Sequence, residues 1–315
     1  MSNFIVKQEG PSPRVAEKVW EVRLGASSLL LGALAGAVAG LYLGRRGKDS
    51  GGARAPKDWP VNIAHRGGAK IAPENTLEGF RKGLEAGAGV IELDVHATAD
   101  GHVVVLHDPT VNRTTDGTGP VREMMLTEVE RLDAGYRFTP DGGRTYPYRG
   151  QGVGVPTLEE VYRAFPEVPI NVEIKGERPG IEEAVWRVIE AAGAGERTLV
   201  VSEDSDTIRR FREASGRGVP TASSSAELLS FWLLSRLGLG STSRPSYRAL
   251  QGPETYKGLH IVTPDFVRAA HERKLRVDVW TIDAEPDMRR LLGYGVDGIM
   301  TDRPNVLARV LGDAG

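Results

Sequence analysis

The stretch Val90-Ile-Glu-Leu-Asp-Val95 decides the fold, because it alternates apolar side chains with two carboxylates. Successive side chains of a β-strand point to opposite faces, so Glu92 and Asp94 share one face and Ile91 and Leu93 share the other. Burying a carboxylate without partners is costly. We therefore predict a strand that packs against helices on one face and contributes to a polar site on the other.

Seven further short apolar runs are separated from one another by longer, mostly amphipathic stretches, a pattern typical of parallel strands joined by crossover helices. Residues 61–315 have close to the ~250 residues of one (β/α)8 barrel. The eight candidate strands run from Val61 to His65, Val90 to Val95, Ile170 to Ile174, Thr198 to Val201, Val219 to Ala222, Gly258 to Ile261, Arg276 to Ile282 and Gly298 to Thr301. The sequence thus predicts an α/β protein with a TIM-type barrel.

The apolar run from His102 to His107 follows the Val90 strand too closely for a parallel crossover. We predict an added hairpin that turns near Asp100-Gly101 and brings His107 beside Asp94. The sequence leaves open whether this strand is a barrel stave or an extra ribbon. Residues 109–155, rich in Gly, Pro, Thr and Arg, are too long for an ordinary loop and predict an insertion over the strand ends.

Carboxylates gather where the predicted strands end, at the edge where a barrel has its active site. Glu92, Asp94 and Glu173 are expected to meet there. Like charges at such short range repel by several kcal/mol unless a cation lies among them. Oxygen ligands suit Mg²⁺ or Ca²⁺ rather than zinc, so we predict one divalent cation.

Basic and imidazole groups surround this predicted cation. Arg66 offers a fork suited to phosphate oxygens and Lys175 a point charge. His65 and His107 are suited to act as acid and base, one protonating a leaving oxygen and the other deprotonating a nucleophile. Together these groups predict cleavage of a phosphate ester, with Trp280 as an apolar wall of the substrate pocket.

The motifs in this chain resemble those of the glycerophosphodiester phosphodiesterases. They are His65-Arg66-Gly67, Pro73-Glu74-Asn75-Thr76, Glu92-x-Asp94, Thr98-Ala-Asp100-Gly101, His107-Asp108, Glu173-x-Lys175, Trp280-Thr281 and Gly298-Ile-Met-Thr-Asp302-Arg-Pro304. The resemblance implies hydrolysis to an alcohol and sn-glycerol 3-phosphate, through a cyclic phosphate that water opens. It implies the same metal, acid-base and phosphate-binding residues as the charge pattern.

Composition limits the other classes of function. With 40 Lys and Arg against 42 Asp and Glu, the chain lacks the basic surface that nucleic acid requires. It contains no cysteine, which excludes disulfides, thiolate zinc sites and iron–sulfur clusters. Any metal must therefore be held by oxygen or imidazole ligands.

The N-terminal region predicts a membrane anchor. Residues 1–23 are a polar segment, residues 24–44 lack any Asp, Glu, Lys, Arg or His, and residues 45–60 resemble a linker. As a helix, residues 24–44 would span roughly 31 Å, enough to cross a bilayer. A cleaved signal peptide is the alternative. Basic residues flank both ends, so the positive-inside rule favours a cytoplasmic catalytic domain only slightly.

Two further patterns point to partners. Gly32, Gly36, Gly40 and Gly44 fall on one helix face, which predicts self-association or else merely reflects a glycine-tolerant span. Residues 226–239 are more apolar than a one-sided barrel helix requires. This surface is expected either to contact lipid or to be covered by residues 109–155. Lipid contact and an anchor would favour a lysophospholipid as the substrate.

Two alternatives to a phosphodiesterase remain on the same scaffold. A lyase or aldolase could use Lys175 as a Schiff base, although a lysine beside three carboxylates is expected to stay protonated. A non-catalytic lipid-binding barrel is the other alternative. All the predicted ligands and histidines are present in the chain, which argues against that alternative.

Overall fold

A computed structural model of the chain describes residues 62–175, 179–239 and 245–313. The strands are β1 (Asn62–Ala64), β2 (Val90–Ala97), β3 (Val103–Val105), β4 (Ile170–Ile174), β5 (Thr198–Val201), β6 (Ala249–Pro253), β7 (Thr255–Tyr256), β8 (Leu259–His260), β9 (Arg276–Trp280) and β10 (Gly298–Thr301). The helices are α1 (Leu77–Glu85), α2 (Leu126–Val129), α3 (Leu158–Ala164), α4 (Ile181–Ala191), α5 (Ser205–Ala214), α6 (Ser225–Arg236), α7 (Pro264–Glu272), α8 (Glu285–Tyr294) and α9 (Pro304–Gly312). The predicted segments 1–23, 24–44 and 45–60 lie outside the described residues.

The main sheet is parallel and curled. Its pairing order is β5, β4, β2, β1, β10, β9 and β6. Parallel bridges from Val200 to Thr221 and from Ala222 to Ala249 connect the two ends of this path. One or more helices precede each later stave, and a last helix closes the chain. These helices are α1, α3, α4, α5, α6, α7, α8 and α9. This α/β architecture fits the predicted TIM-type barrel.

One predicted stave is wrong. The run from Gly258 to Ile261 forms β8 of a small antiparallel side hairpin with β7. The stave is β6 instead, which pairs in parallel with β9. Its sequence, Ala-Leu-Gln-Gly-Pro, resembles a turn, but the Gln251 side chain faces the interior and donates to Asp278 at 3.0 Å. The hydrogen bond to the buried Asp278 therefore outweighs the low strand propensity of this segment.

The predicted hairpin is confirmed, and it is an added ribbon rather than a stave. Strand β3 pairs antiparallel with β2, with Val105 opposite Val95, and lies off the barrel path. The backbone N–H of Leu106 donates to the Asp94 carbonyl at 3.0 Å, which places His107 at the active edge. Insertion 109–155 contains α2 and packs around a separate apolar cluster that includes Val111, Val121 and Val129.

Alternation along the strands separates the interior from the helix layer. On β2, Ile91, Leu93 and Val95 belong to a core cluster shared with the helices. The residues between them face the barrel interior, which is filled by a small apolar cluster at the level of Val90. The acidic side chains of β2 follow Val90 on the same face and so lie above this apolar floor.

Helix α6 keeps large apolar side chains exposed, as its sequence predicts. Leu229 and Leu237 are 45% and 60% exposed. No helix within the described residues has the length and apolar character needed to cross a bilayer. The span predicted for that role, residues 24–44, falls outside them.

Candidate active site

Three carboxylates converge at the carboxyl edge of β2 and β4. The two strands are neighbours in parallel register, with Asp94 opposite Glu173. Glu92, Asp94 and Glu173 each offer a ligand atom, and these atoms lie within 4.8 Å of one another. The register of two adjacent strands therefore creates the acidic cluster that the sequence predicts.

A tight turn after β1 brings basic groups to the same cluster. Arg66 adopts a left-handed backbone conformation, with φ of 52°, and its N–H donates to Glu92 Oε2 at 2.8 Å. Gly67 follows with φ of 86°, and a Cβ there would lie 2.8 Å from the Gly79 carbonyl carbon of α1. Glycine thus permits both the backbone angle and the close approach of α1 that holds this turn.

Arg66 and Lys175 lie against the acidic cluster. Lys175 Nζ is 3.0 Å from Asp94 Oδ1 and 2.5 Å from Glu173 Oε1. Burial disfavours the ammonium, but these two carboxylates outweigh it and raise the pKa of Lys175. Burial also opposes the Asp94 carboxylate, yet Lys175 and Arg66 hold the pKa of Asp94 below its usual range. Lys175 therefore stays protonated, which disfavours its use as a Schiff base.

The donor set fits a hard divalent cation. Burial, reinforced by the charge of Asp94, raises the pKa of Glu92. A carboxyl whose charge is disfavoured in this way gains most from a cation placed beside it. The two cations at this cluster do not replace such an ion, because Lys175 is shared between Asp94 and Glu173 and Arg66 is also paired with Glu74. Oxygen ligands from Glu92, Asp94 and Glu173 match Mg²⁺ or Ca²⁺.

Each of the two predicted catalytic histidines is held through Nδ1 by an aspartate. His65 Nδ1 lies 2.6 Å from Asp302 Oδ1, and His107 Nδ1 lies 2.7 Å from Asp108 Oδ1. Burial lowers the pKa of His65, but Asp302 and the nearby Glu92 carboxylate reverse this effect, and the net pKa is raised. His96 is buried and its Nε2 lies 3.0 Å from the His107 carbonyl, consistent with a supporting role in the strand. With Nδ1 occupied, each catalytic candidate has Nε2 for a substrate.

Several further residues hold the site. Asn75 donates to Asp94 Oδ2 at 2.9 Å, and Glu74 accepts from Arg66 Nη1 at 3.0 Å. Asp302 contacts His65 directly. Arg113, in the insertion, contacts both Asp108 and Glu74. Arg113 is the residue that sequence reasoning missed, because its contact with Glu74 spans thirty-nine residues and no local spacing identifies it.

Trp280 lies apart from the acidic strands. It is the last residue of β9, and its half-buried side chain packs against the interior cluster of Ile63, Leu199 and Met300. Since β9 is separated from β2 by β10 and β1 in the sheet, the indole lies across the mouth from the carboxylates. This position is compatible with the predicted apolar wall.

A barrel with a carboxylate cluster, two histidine–aspartate pairs and two cationic side chains at its active edge fits a hydrolase of phosphate esters. Comparison with known proteins agrees. Residues 65–306 match the model of the glycerophosphoryl diester phosphodiesterase family. A glycerophosphodiester phosphodiesterase of Caldanaerobacter subterraneus subsp. tengcongensis is 36% identical over 262 residues, covering 80% of this chain and 98% of the relative.

Solved structures show the same fold. A glycerophosphodiester phosphodiesterase from Agrobacterium tumefaciens is 26% identical with a TM-score of 0.64, covering 78% of this chain and 98% of that one. A phosphodiesterase from Oleispira antarctica, solved with the product sn-glycerol-3-phosphate, is 24% identical with a TM-score of 0.65, covering 82% and 99%. The chain belongs to the glycerophosphoryl diester phosphodiesterase family and is a hydrolase, which sets aside the lyase and the non-catalytic barrel.

Proposed function

We propose that this chain hydrolyses glycerophosphodiesters to an alcohol and sn-glycerol 3-phosphate with one bound Mg²⁺ or Ca²⁺ and two histidines. The observation that carries the proposal is the convergence of three carboxylates at the active edge. One ligand atom from each of Glu92, Asp94 and Glu173 lies within 4.8 Å of the others. A divalent ion held by them would offset their mutual repulsion and would offer a positive centre to a phosphodiester monoanion.

The proposed roles of the site residues follow from the polar atoms that can still bind a substrate. The bound ion would polarise a phosphoryl oxygen and neutralise charge in the transition state. Arg66 Nε is buried and, among the described residues, donates to no hydrogen-bond acceptor; its distance to Asp94 Oδ2 is 3.5 Å. A buried, unsatisfied donor favours an anionic oxygen, so Arg66 binds the phosphate. His65 and His107 each keep Nε2 for proton transfer to the leaving oxygen and from the nucleophile.

The proposal is tested by separating metal binding from turnover. Purified enzyme freed of metal by chelation should release no sn-glycerol 3-phosphate from glycerophosphocholine, and Mg²⁺ or Ca²⁺ should restore release. Glu92→Gln should weaken cation binding in calorimetric titration by about 10-fold or more, because it removes one charged ligand. Activity of the metal-free enzyme equal to that of the loaded enzyme would contradict metal dependence.

We further propose a lysophospholipid substrate at a membrane, with the domain held by an anchor at residues 24–44 and facing the cytoplasm. Support comes from Leu229, Leu237, Leu239 and Leu259, which are between 45% and 60% exposed. Trp232 Nε1 donates to the His260 carbonyl at 3.2 Å, so β8 and α6 contribute to one surface. The cations Arg236 and Lys257 flank these leucines and complement anionic lipid.

The proposed lipid contact can be tested with one variant and a matched control. Leu237→Ser should lower turnover of lysophosphatidylcholine in anionic vesicles and leave turnover of soluble glycerophosphocholine unchanged. Met125→Ser, at an apolar residue of the insertion that is 46% exposed, should alter neither rate. Equal loss on both substrates, or no loss on vesicles, would contradict lipid contact through α6. Self-association through Gly32, Gly36, Gly40 and Gly44 remains a separate proposal, tested by the oligomeric state of a Gly36→Leu variant.

A further inference from the structure

Arg113 belongs to the insertion that follows β3, and it lies five residues after Asp108 and thirty-nine after Glu74. Its guanidinium bonds both of these carboxylates. Nε donates to Asp108 Oδ2 at 2.7 Å, and Nη2 lies 3.2 Å from Asp108 Oδ1. Nη1 and Nη2 donate to Glu74 Oε2 and Oε1, each at 2.7 Å. One planar fork therefore fixes two carboxylates at once.

Each of these carboxylates also holds a residue of the proposed machinery. Asp108 contacts His107 Nδ1 at 2.7 Å, and Glu74 accepts from Arg66 Nη1 at 3.0 Å. A continuous chain of polar contacts thus joins His107, Asp108, Arg113, Glu74 and Arg66. This chain connects a proton-transfer group to a phosphate-binding group across the mouth of the site.

The surroundings separate this network from an ordinary surface ion pair. The Glu74 and Asp108 side chains are 16% and 25% exposed, so solvent screens them only in part. Burial opposes the charge of Glu74, but the bonds from Arg113 and Arg66 outweigh it and lower the pKa of Glu74. Burial likewise opposes the charge of Asp108, and the contacts with His107 and Arg113 lower its pKa. Both carboxylates therefore remain charged acceptors for their second partners.

We infer that Arg113 is a positioning residue that sets the orientation of His107 and of Arg66 together, through Asp108 and Glu74. The inference rests on the proposed function, because it assigns proton transfer to His107 and phosphate binding to Arg66. Arg113 itself is placed to contact two carboxylates rather than the reacting atoms. The insertion that contains Arg113 would thus orient two site residues although it lies outside the barrel.

The geometry predicts a particular split of kinetic constants. Glu74→Gln weakens the hold on Arg66 and should mainly raise KM for glycerophosphocholine. Asp108→Asn weakens the hold on His107 and should mainly lower kcat. Arg113→Gln removes both connections, so it should change both constants and lower kcat/KM about 10- to 100-fold, as misplacement of catalytic groups does.

Two further variants distinguish positioning from simple stabilisation. Arg113→Lys keeps the charge but not the fork, so it should recover less than half of the lost kcat/KM. Arg113→Gln added to Glu74→Gln should raise KM no further, because that connection is already broken. Arg137→Gln is the matched control: Arg137 lies in the same insertion and donates to the Thr115 carbonyl at 3.0 Å. It should leave kcat and KM unchanged.

The thermal midpoint of every variant is measured alongside the kinetics. Full recovery by Arg113→Lys, additive effects of Arg113→Gln and Glu74→Gln on KM, or a lower thermal midpoint for Arg113→Gln with unchanged kinetics would each overturn the inference. Failure of the proposed function looks different. In that case wild-type enzyme loaded with Mg²⁺ or Ca²⁺ would not hydrolyse glycerophosphocholine, or His107→Ala would be fully active.

Discussion

The two histidine–aspartate pairs have similar Nδ1–Oδ1 distances but different supports. His65 pairs with Asp302, whose N–H donates to Asp283 Oδ1 at 2.9 Å and whose carbonyl accepts from the Lys70 N–H at 3.2 Å. His107 pairs with Asp108, which is held by the half-exposed side chain of Arg113. Backbone hydrogen bonds between barrel loops support the first pair, whereas side-chain ion pairs from an insertion support the second.

This difference divides the site into two halves. The His65–Asp302 pair, held by barrel loops, is the barrel half, and the His107–Asp108 pair, held by the insertion, is the added half. The His65 side chain is 16% exposed and the His107 side chain 31% exposed. Water and salt therefore reach the His107 pair more readily. We expect the barrel half to tolerate little change and the added half to tolerate more.

The largest expected effect is removal of either imidazole. His65→Ala and His107→Ala should each lower kcat by about 10²- to 10⁴-fold, because each removes one proton-transfer group. The thermal midpoint should stay close to wild type, since neither side chain is part of an apolar cluster. Steady-state assays with glycerophosphocholine and a melting curve check both parts.

An aryl leaving group sharpens this test. The p-nitrophenolate of a p-nitrophenyl phosphodiester leaves without protonation, so this substrate should restore much of the activity of the variant that lacks the general acid. The variant that lacks the base should stay slow. Equal restoration of both variants would contradict a division of labour between the two histidines.

The barrel was predictable from sequence because its signal is periodic. Runs such as Val90-Ile-Glu-Leu-Asp-Val95 have one face for the helices and one for the interior, and the structure confirms this division. Strand β6 was missed because Gly252-Pro253 is typical of turns. Gln251 is held by Asp278, and at position 252 only glycine leaves room for Leu228, since a Cβ there would lie 2.5 Å from Leu228 Cδ2. Both partners are distant in the chain.

The site was predictable to the extent that its residues lie on strand ends. Parallel register brings Asp94 opposite Glu173, so strand order alone implies that their carboxylates meet. Arg113 could not be predicted in this way, because it lies in a segment without periodicity. Its contact with Glu74 depends on how the insertion folds back, which no local pattern encodes.

A smaller effect is expected from removing the charges of the aspartate partners. Asp302→Asn and Asp108→Asn should each lower kcat, by about 10-fold or more, because the imidazole loses its charged acceptor and its preferred tautomer. Asp302→Asn should cost more, since His65 is less exposed than His107 and water compensates for the lost charge less readily there. A parallel kcat comparison at one pH tests the order, and a larger loss for Asp108→Asn would contradict the proposed difference between the halves.

The smallest effect is expected at Lys70, because the His65 pair contacts the backbone of Lys70 and not its charged group. The Lys70 side chain is 55% exposed and pairs with Asp283 at 3.0 Å, so Lys70→Ala should change the free energy of unfolding by less than about 1 kcal/mol. The backbone N–H of Lys70 still donates to Asp302 in this variant, and kcat should not change. Denaturant unfolding and steady-state kinetics measure the two quantities. A marked loss of kcat in Lys70→Ala would mean that the His65 pair also depends on exposed charge, and the contrast between the two halves would then disappear.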